Sequence, residues 1–294
     1  MLKKIGLASL ILALAGVTVI SANFAAVSNE QWGVIMNLSG RQRMLSQKMT
    51  KEALLATSGI NAEENRKNLK ETMNTFEKVL KGLRDGDASL NLPACENEEI
   101  IAKLDKINLL FDEMVPLLSK VTGGGVLTPA ELPVLAKLNL PILTMMDSTV
   151  KMFEQEAGKV LTKDPALALV INLSGKQRML TQKMSKEALL MYLKIDMVSN
   201  SKMLRDTASL FDRTLKGLKD GDSELGLPKA EDAGIISQLD LVGSFWSVVK
   251  PLVEKTSNMD NYVSKEEAAA VVELLSTILK EMDKAVKMYE ALSK

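Results

Sequence analysis

The segment Asn37–Leu55 reads NLSGRQRMLSQKMTKEALL, and Asn172–Leu190 reads NLSGKQRMLTQKMSKEALL. Sixteen of the nineteen positions are identical, and the three exchanges keep a charge or a hydroxyl: Arg41/Lys176, Ser46/Thr181 and Thr50/Ser185. A helix that only fills a core tolerates drift at its polar positions. In this block the polar positions are retained, which indicates that the block has a chemical role.

The repeat extends beyond the block at a nearly constant offset. Phe76–Pro93 matches Phe211–Pro228 at an offset of 135, and Met146-Asp147 matches Met282-Asp283 at 136. This period is far longer than the roughly 20–50 residues of solenoid repeats, so each copy is predicted to be a small domain. The predicted domains are residues 29–160 and residues 164–294.

The composition favours helices, because Leu, Ala, Met, Lys and Glu dominate and aromatic residues make up only 4% of the chain. The predicted fold is all-α, with two tandem up-down four-helix bundles after an N-terminal signal peptide. Apolar residues at three- and four-residue spacing in the first helix predict one buried stripe. The predicted helices are 29–57, 62–84, 96–121 and 129–159, then 165–194, 197–219, 231–255 and 264–293.

The first residues have the layout of a secretory signal. Lys3 and Lys4 precede the apolar run Ile5–Ile20, and small residues follow it. Residues 1–25 are therefore predicted to be a cleaved signal peptide, and the alternative is an uncleaved membrane anchor. Either outcome predicts an exported protein in the periplasm, free or tethered to the inner membrane.

Several classes of function are disfavoured. Lys+Arg and Asp+Glu both number 37, so there is no excess of positive charge that would indicate nucleic-acid binding. The chain has no histidine, which removes the commonest general base and the commonest transition-metal ligand. No nucleophile–base pair or phosphate loop is visible, so we predict no enzyme, no cofactor and no metal. The seventeen methionines are expected to fill cores, and Cys95 to be a free thiol. The loops at Asp85-Gly86-Asp87 and Asp220-Gly221-Asp222 are expected to be helix-ending turns rather than calcium sites.

The repeated block predicts an anion receptor. On a helix, each arginine shares a face with small and hydrogen-bonding residues: Arg43 with Ser39, Gly40, Ser46 and Gln47, and Arg178 with Ser174, Gly175, Thr181 and Gln182. Glycine inside a helix costs roughly 1 kcal/mol relative to alanine, so we expect another backbone to approach closely there. An arginine in such a tight, dry contact needs an anion, and its paired donors fit two oxygens of a planar oxyanion.

The block resembles the P-box of the PilJ/NarX-type sensor domain of type IV pilus chemotaxis transducers and nitrate/nitrite sensor kinases. The pattern Asn-x-x-Gly-x-x-Arg-Met-x-Ser is matched by Asn37, Gly40, Arg43, Met44 and Ser46, and by Asn172, Gly175, Arg178 and Met179, with Thr181 in place of the serine. In nitrate-sensing members, two such arginines meet at a symmetric dimer interface and grip one anion. The resemblance carries this role to Arg43 and Arg178 only. The intervening residues, Arg41-Gln42 and Lys176-Gln177, differ from those of the nitrate sensors.

Two functions follow as alternatives. The first is an exported sensory protein that binds a small anion such as nitrate or nitrite and reports to a membrane chemoreceptor or sensor kinase. Its two arginines would converge either inside one chain, as a pseudo-dimer, or in a homodimer. The second is a helical scaffold of the cell envelope or type IV pilus system, in which each arginine pairs with a carboxylate of its own bundle. In both, the repeated charged residues are expected on a solvated face: Lys48/Lys183, Lys51/Lys186 and Glu52/Glu187.

Overall fold

The structure, a computed structural model, describes residues 27–160 and 165–292. The predicted signal peptide, residues 1–25, lies outside these residues. Among the helices of residues 27–160 and 165–292, none combines the length and the apolar character that a membrane span requires. The domain division at 29–160 and 164–294 stays a prediction.

Eight α-helices run through the described residues, and their bounds lie within two residues of the predicted ones. The first four are α1 (Asn29–Thr57), α2 (Ala62–Asp85), α3 (Glu98–Thr122) and α4 (Glu131–Val160). The second four are α5 (Pro165–Tyr192), α6 (Met197–Asp220), α7 (Ala233–Ser257) and α8 (Lys265–Ala291). The all-α prediction is confirmed.

The helix boundaries follow local chemistry. Ser264 and Glu267 form a capping box at the start of α8. Gly86 and Gly221 follow α2 and α6 with φ of 83° and 87°, a region that favours glycine. After α2, the carboxylate of Asp87 accepts a hydrogen bond from the Ser89 amide at 2.8 Å, which confirms a polar turn there.

Each set of four helices closes into a bundle around an apolar core. In the first bundle the rings of Phe76 and Phe111 pack with centroids 5.0 Å apart. In the second, Phe211 and Trp246 occupy the matching place at 4.7 Å. Cys95 is a half-buried free thiol in the first bundle, as predicted.

The two bundles lie side by side, because α1 packs against α5 as closely as it packs against its own neighbours α2 and α4. The cores interlock across this contact. The first core includes residues of α5, α8 and the loop before α8, and these are Leu189, Leu190, Val263, Ala268 and Val272. The second core takes Leu143 from α4. Helices α1 and α5 are therefore central, each enclosed by its own bundle and by the other helix.

Candidate functional site

The repeated block lies on the two helices that join the bundles. Arg43 of α1 contacts Asn172 of α5. Farther along both helices, Gln47 of α1 contacts Lys186 of α5. Because contacts advance in the same direction on both helices, α1 and α5 run parallel. We call this contact the α1–α5 seam. The two first helices thus pack against each other within one chain, and α5 covers this face of α1.

Arg43 is almost completely buried beside the seam, with 4% of its side chain exposed. Its Nη1 donates to Asp147 Oδ1 of α4 at 3.0 Å, and its Nη2 donates to Asn172 Oδ1 at 2.9 Å. Arg43 thus ties together a helix of its own bundle and the first helix of the other.

Arg178 has the equivalent place in the second bundle with fewer partners. Its Nη1 donates to Asp283 Oδ1 of α8 at 2.7 Å. This is the single hydrogen bond of its guanidinium among the described residues. Its side chain is 14% exposed, so it lies nearer to solvent than Arg43.

The protein itself thus supplies the anionic partner that each arginine was expected to need, as the scaffold alternative predicted, and ligand binding at these arginines stays a prediction. Each arginine already has an aspartate of its own bundle, because a buried charge without a partner would be very costly. The sequence contained a signal for these pairs, because an aspartate occupies the equivalent position of both copies, at Asp147 and Asp283. Whether the two guanidiniums share one ligand stays a prediction.

Positive charge exceeds negative charge around Arg43. Burial works to raise the pKa of Asp147, but Arg43, Lys176 and Lys151 together hold it below its usual value. Burial raises the pKa of Glu154, whose Oε1 is buried with no hydrogen-bond partner. Lys176 comes from α5 in the other bundle, and burial lowers its pKa. The local groups are thus three cations and two carboxylates, and burial disfavours the charged forms of both Glu154 and Lys176.

No backbone of a neighbouring helix lies close to Gly40 or Gly175, the glycines of the two repeated blocks. A Cβ atom on Gly40 would meet only Arg43 Nη2, at 3.5 Å, and one on Gly175 would meet only Arg178 Nη2 at the same distance. The prediction that another backbone approaches closely at these glycines was therefore wrong. The glycines instead lie directly beneath the guanidiniums of their own helix.

The hydroxyls of the block are fully buried but turn toward their own helices. Ser46 and Thr181 donate to the carbonyls of Arg43 and Arg178, both at 2.8 Å. Ser39 and Ser174 donate in the same way to Met36 and Ile171. Since a hydroxyl has one proton, each of these four residues would have to give up this bond in order to donate to an anion, and their role in binding stays a prediction.

The two amides of the predicted site differ. Gln47 accepts from Lys186 Nζ at 2.8 Å, whereas Gln182 is buried with no partner for either amide atom. Two further glutamines, which the prediction omitted, fix each central helix to its neighbour. Gln42 donates to the Phe76 carbonyl at 2.7 Å and Gln177 to the Phe211 carbonyl at 3.0 Å.

The expectation of a solvated charged face was also wrong. Lys51, Glu52, Lys186 and Glu187 are all buried, with at most 7% of each residue exposed. Lys48 and Lys183 are partly buried and bond to Glu52 and Glu187, one helical turn away. A lysine and a glutamate one helical turn apart are typical of an exposed helix with surface ion pairs. Here the helices packed around α1 and α5 shield these residues from solvent.

A sequence model that describes the N-terminal part of type IV pili methyl-accepting chemotaxis transducers, the PilJ family, matches residues 25–125 and 160–272. The chain belongs to this family. The match in two segments agrees with two tandem copies, and the description of the family as part of chemotaxis transducers points to a signalling role.

Among solved structures, the chain is similar to the ligand-binding domain of the Pseudomonas aeruginosa nitrate receptor McpN. The two share 23% sequence identity with a TM-score of 0.37, over 45% of this chain and 98% of that domain. A comparison with curated protein sequences finds no match.

Proposed function

We propose that this PilJ-family protein is an exported sensor that binds a small oxyanion beside Arg178 and Arg43 and passes the signal to a membrane partner. The observation that carries the proposal is the placement of both repeated arginine blocks on two packed parallel helices of one chain. Nitrate and nitrite are the first ligands to test, because the P-box resemblance points to them. Family membership supports the sensory role, and the resemblance to exported sensor domains supports a periplasmic location.

The free donors favour Arg178 as the main anion contact. A guanidinium has five N–H groups, and in the described residues Arg178 uses only one, toward Asp283. Arg43 already uses Nη1 and Nη2 and makes a long contact of 3.5 Å from Nε to the Gly40 carbonyl. A planar oxyanion that takes two adjacent donors of Arg178 therefore breaks fewer existing hydrogen bonds.

The aspartates provide a route from binding to signal. An oxyanion beside Arg178 repels Asp283, and one that reaches Arg43 repels Asp147. These carboxylates belong to α8 and α4, the last helix of each bundle. Ligand binding would weaken the attachment of α4 and α8 to the central helices, and a partner at the membrane would detect their displacement.

Thermal unfolding with a panel of oxyanions tests the proposal. At constant ionic strength and constant chloride, nitrate or nitrite should raise the melting temperature of the wild type. A ligand at a hundred times its Kd adds about 2.7 kcal/mol to the free energy of unfolding. Arg178→Ala should lose this response.

Arg213→Ala is the matched control, because Arg213 is also in the second bundle and also pairs with carboxylates, Asp222 and Glu224, but is exposed. It should keep the full response. If Arg178→Ala responds like the wild type, the anion binds elsewhere.

The alternative is a helical scaffold of the envelope or pilus system, and the arginine–aspartate pairs specifically favour it. Both arginines have carboxylate partners in their own bundle, which is what a purely structural role requires. A wild-type protein whose stability responds to no oxyanion beyond the effect of bulk salt would support the scaffold and overturn the receptor.

A further inference from the structure

One end of the second bundle contains a cavity of about 300 Å³, which we call the tip cavity. It lies between the end of α5, the start of α6 and the loop 258–263 that joins α7 to α8, and the lining residues that matter here are Met191, Tyr192, Lys194, Met197, Met259 and Asp260. Ligand sites have volumes of roughly 300–1,000 Å³, so the tip cavity suits a small metabolite. Met191 lies thirteen residues beyond Arg178 on α5, about 20 Å at a rise of about 1.5 Å per residue, so the tip cavity is separate from the arginines.

The first copy lacks the side chains that line the tip cavity. At the repeat offset of 135, it has small residues where the second copy has large ones, namely Ala56, Thr57 and Ala62 against Met191, Tyr192 and Met197. The loop before the last helix reads Gly-Gly-Gly-Val-Leu at 123–127 but Asn-Met-Asp-Asn-Tyr-Val at 258–263. Because both copies have the same fold, the lining of the tip cavity is not a requirement of that fold.

Lys194 has a backbone conformation for which the first copy uses glycine. The motif that ends α5, in which the Ile195 amide donates to the Leu190 carbonyl, also ends α1. Within this motif φ is 58° at Lys194 and 67° at its counterpart Gly59. A left-handed conformation is more costly for lysine than for glycine, so the turn itself does not explain the lysine.

Lys194 and Asp260 bring opposite charges to the lining of the tip cavity. Among the described residues, neither side chain forms an ion pair or a hydrogen bond. The loop fixes the backbone around Asp260, whose amide donates to Asn258 Oδ1 at 3.0 Å, while Asn261 Nδ2 donates to the Lys255 carbonyl at 3.1 Å. The cavity thus offers one ammonium and one carboxylate, and both are available to a ligand.

The rest of the lining that concerns us is largely apolar. Met191 is only 3% exposed, and Tyr192 and Met197 are partly buried against the cores. Met259 and Tyr262 are 46% and 75% exposed, which is unusual for large side chains of this kind. An apolar ligand group would remove part of this surface from water, and flexible methionines adapt to its shape.

We propose that the tip cavity binds a free amino acid with an apolar side chain. The carboxylate of the amino acid pairs with Lys194, its ammonium pairs with Asp260, and its side chain packs against Met191 and Met197. A zwitterion matches both charges of the cavity, whereas a ligand with a single charge leaves one of them without a partner.

Isothermal titration calorimetry of the full chain with L-leucine, L-methionine and L-phenylalanine tests the proposal, and at least one of them should bind. Its analogues without the ammonium or without the carboxylate, such as 4-methylpentanoate and 3-methylbutylamine for L-leucine, should each bind about tenfold more weakly or worse. The proposal is overturned if none of the three amino acids binds, or if an analogue with one charge binds as tightly as the amino acid.

Lys194→Gly is the sharpest variant, because it restores the residue of the first copy. It should raise the melting temperature of the ligand-free protein and lose amino-acid binding, and Asp260→Asn should also lose binding. Lys216→Gln is the matched control, because Lys216 is an exposed lysine of α6 outside the tip cavity, and it should bind like the wild type. Binding by Lys194→Gly and Asp260→Asn that equals the wild type would exclude the tip cavity.

NMR of protein labelled with ¹³C at the methionine methyl groups locates the ligand. The signals of Met191, Met197 and Met259 should move on addition of the amino acid, and movement confined to other methionines would contradict the proposal. Nitrate is the probe for the arginines and an amino acid is the probe here, so the failure of one site is distinguishable from the failure of the other.

Discussion

The aspartate partners of Arg43 and Arg178 differ in how much protein surrounds them. Arg43 and Asp147 have 4% and 28% of their side chains exposed, against 14% and 36% for Arg178 and Asp283. Desolvation strengthens an ion pair but also makes an unpaired charge more costly. Removal of the aspartate should therefore cost more stability at the first pair than at the second.

Asp147→Ala should accordingly destabilise the protein more than Asp283→Ala does. Removing Asp147 leaves Arg43 buried with only the Asn172 oxygen and the Gly40 carbonyl, at an expected loss of about 1–3 kcal/mol. Chemical denaturation of both variants measures the difference. Nitrate should restore part of the stability of Asp147→Ala, since the carboxylate that competes with it is gone, and a smaller loss in Asp147→Ala than in Asp283→Ala would contradict this ranking.

The buried lysine of the second copy predicts a pH dependence. Burial lowers the pKa of Lys186 from 10.5 to about 8, while Glu187 acts to raise it and Lys183 to lower it further. Between pH 8 and 10.5 the unfolded state binds more protons at this residue than the folded state, so its contribution to stability rises with pH in this window. Below pH 8 both states are protonated and the contribution is constant.

Comparing the wild type with Lys186→Met isolates this effect. The stability of the wild type relative to the variant should increase from pH 8 to pH 10, by at most about 3 kcal/mol for a shift of this size. Denaturant midpoints at several pH values in a gluconate buffer provide the measurement. A difference that stays flat or falls with pH would show that Lys186 is not held at a lowered pKa.

At the level of helices and turns, glycines inside the central helices have a different role from the glycine that follows α2. Gly40 and Gly175 lie inside α1 and α5 and have room for a methyl group. Gly86, at the end of α2, has a positive φ, and a Cβ there would lie 2.8 Å from the Ala94 amide nitrogen. The first two glycines are compatible with alanine, and Gly86 is not.

Gly40→Ala should leave stability unchanged or raise it by up to about 1 kcal/mol, the difference in helix propensity. Gly86→Ala should lower stability by about 1–3 kcal/mol, because its backbone conformation is strained for any side chain and the Cβ clashes. Urea unfolding of the two variants compares them directly. Strong destabilisation by Gly40→Ala would restore the idea that a backbone approaches α1 at this point.

At the level of the whole molecule, the interlocked cores predict that the two bundles unfold together. Residues of α5 and α8 complete the first core, and Leu143 of α4 belongs to the second, so neither bundle can open without exposing apolar surface of the other. Scanning calorimetry should show one transition with equal calorimetric and van't Hoff enthalpies.

A core variant of the first bundle tests this cooperativity. Leu118 is fully buried in α3, and Leu118→Ala should cost about 2–5 kcal/mol. If the bundles are coupled, the single transition moves to lower temperature without splitting. Two transitions, of which only one moves, would mean that the bundles are independent.

The sequence by itself determined the repeat, the helical class and the helix bounds, because propensity, apolar spacing and capping residues are local properties. It also predicted that Arg43 and Arg178 lie in a tight, dry contact and need an anionic partner. It misassigned Lys51, Glu52 and their counterparts, because a one-turn charge spacing is identical on an exposed helix and on a central one. Only neighbours distant in the sequence, α4 and α5 around α1, decide which of the two it is.

The tertiary structure alone decided what each buried charge is paired with. Arg43 meets Asp147 and Asn172, and Lys186 meets Gln47 and Asn139, over separations of 47 to 139 residues. It also revealed that two nearly identical blocks have unequal surroundings, since Asn139 faces one lysine while Leu275 stands at the equivalent position for the other. The energy of a buried charge depends on the atoms packed around it, and those atoms come from helices that no local pattern brings together.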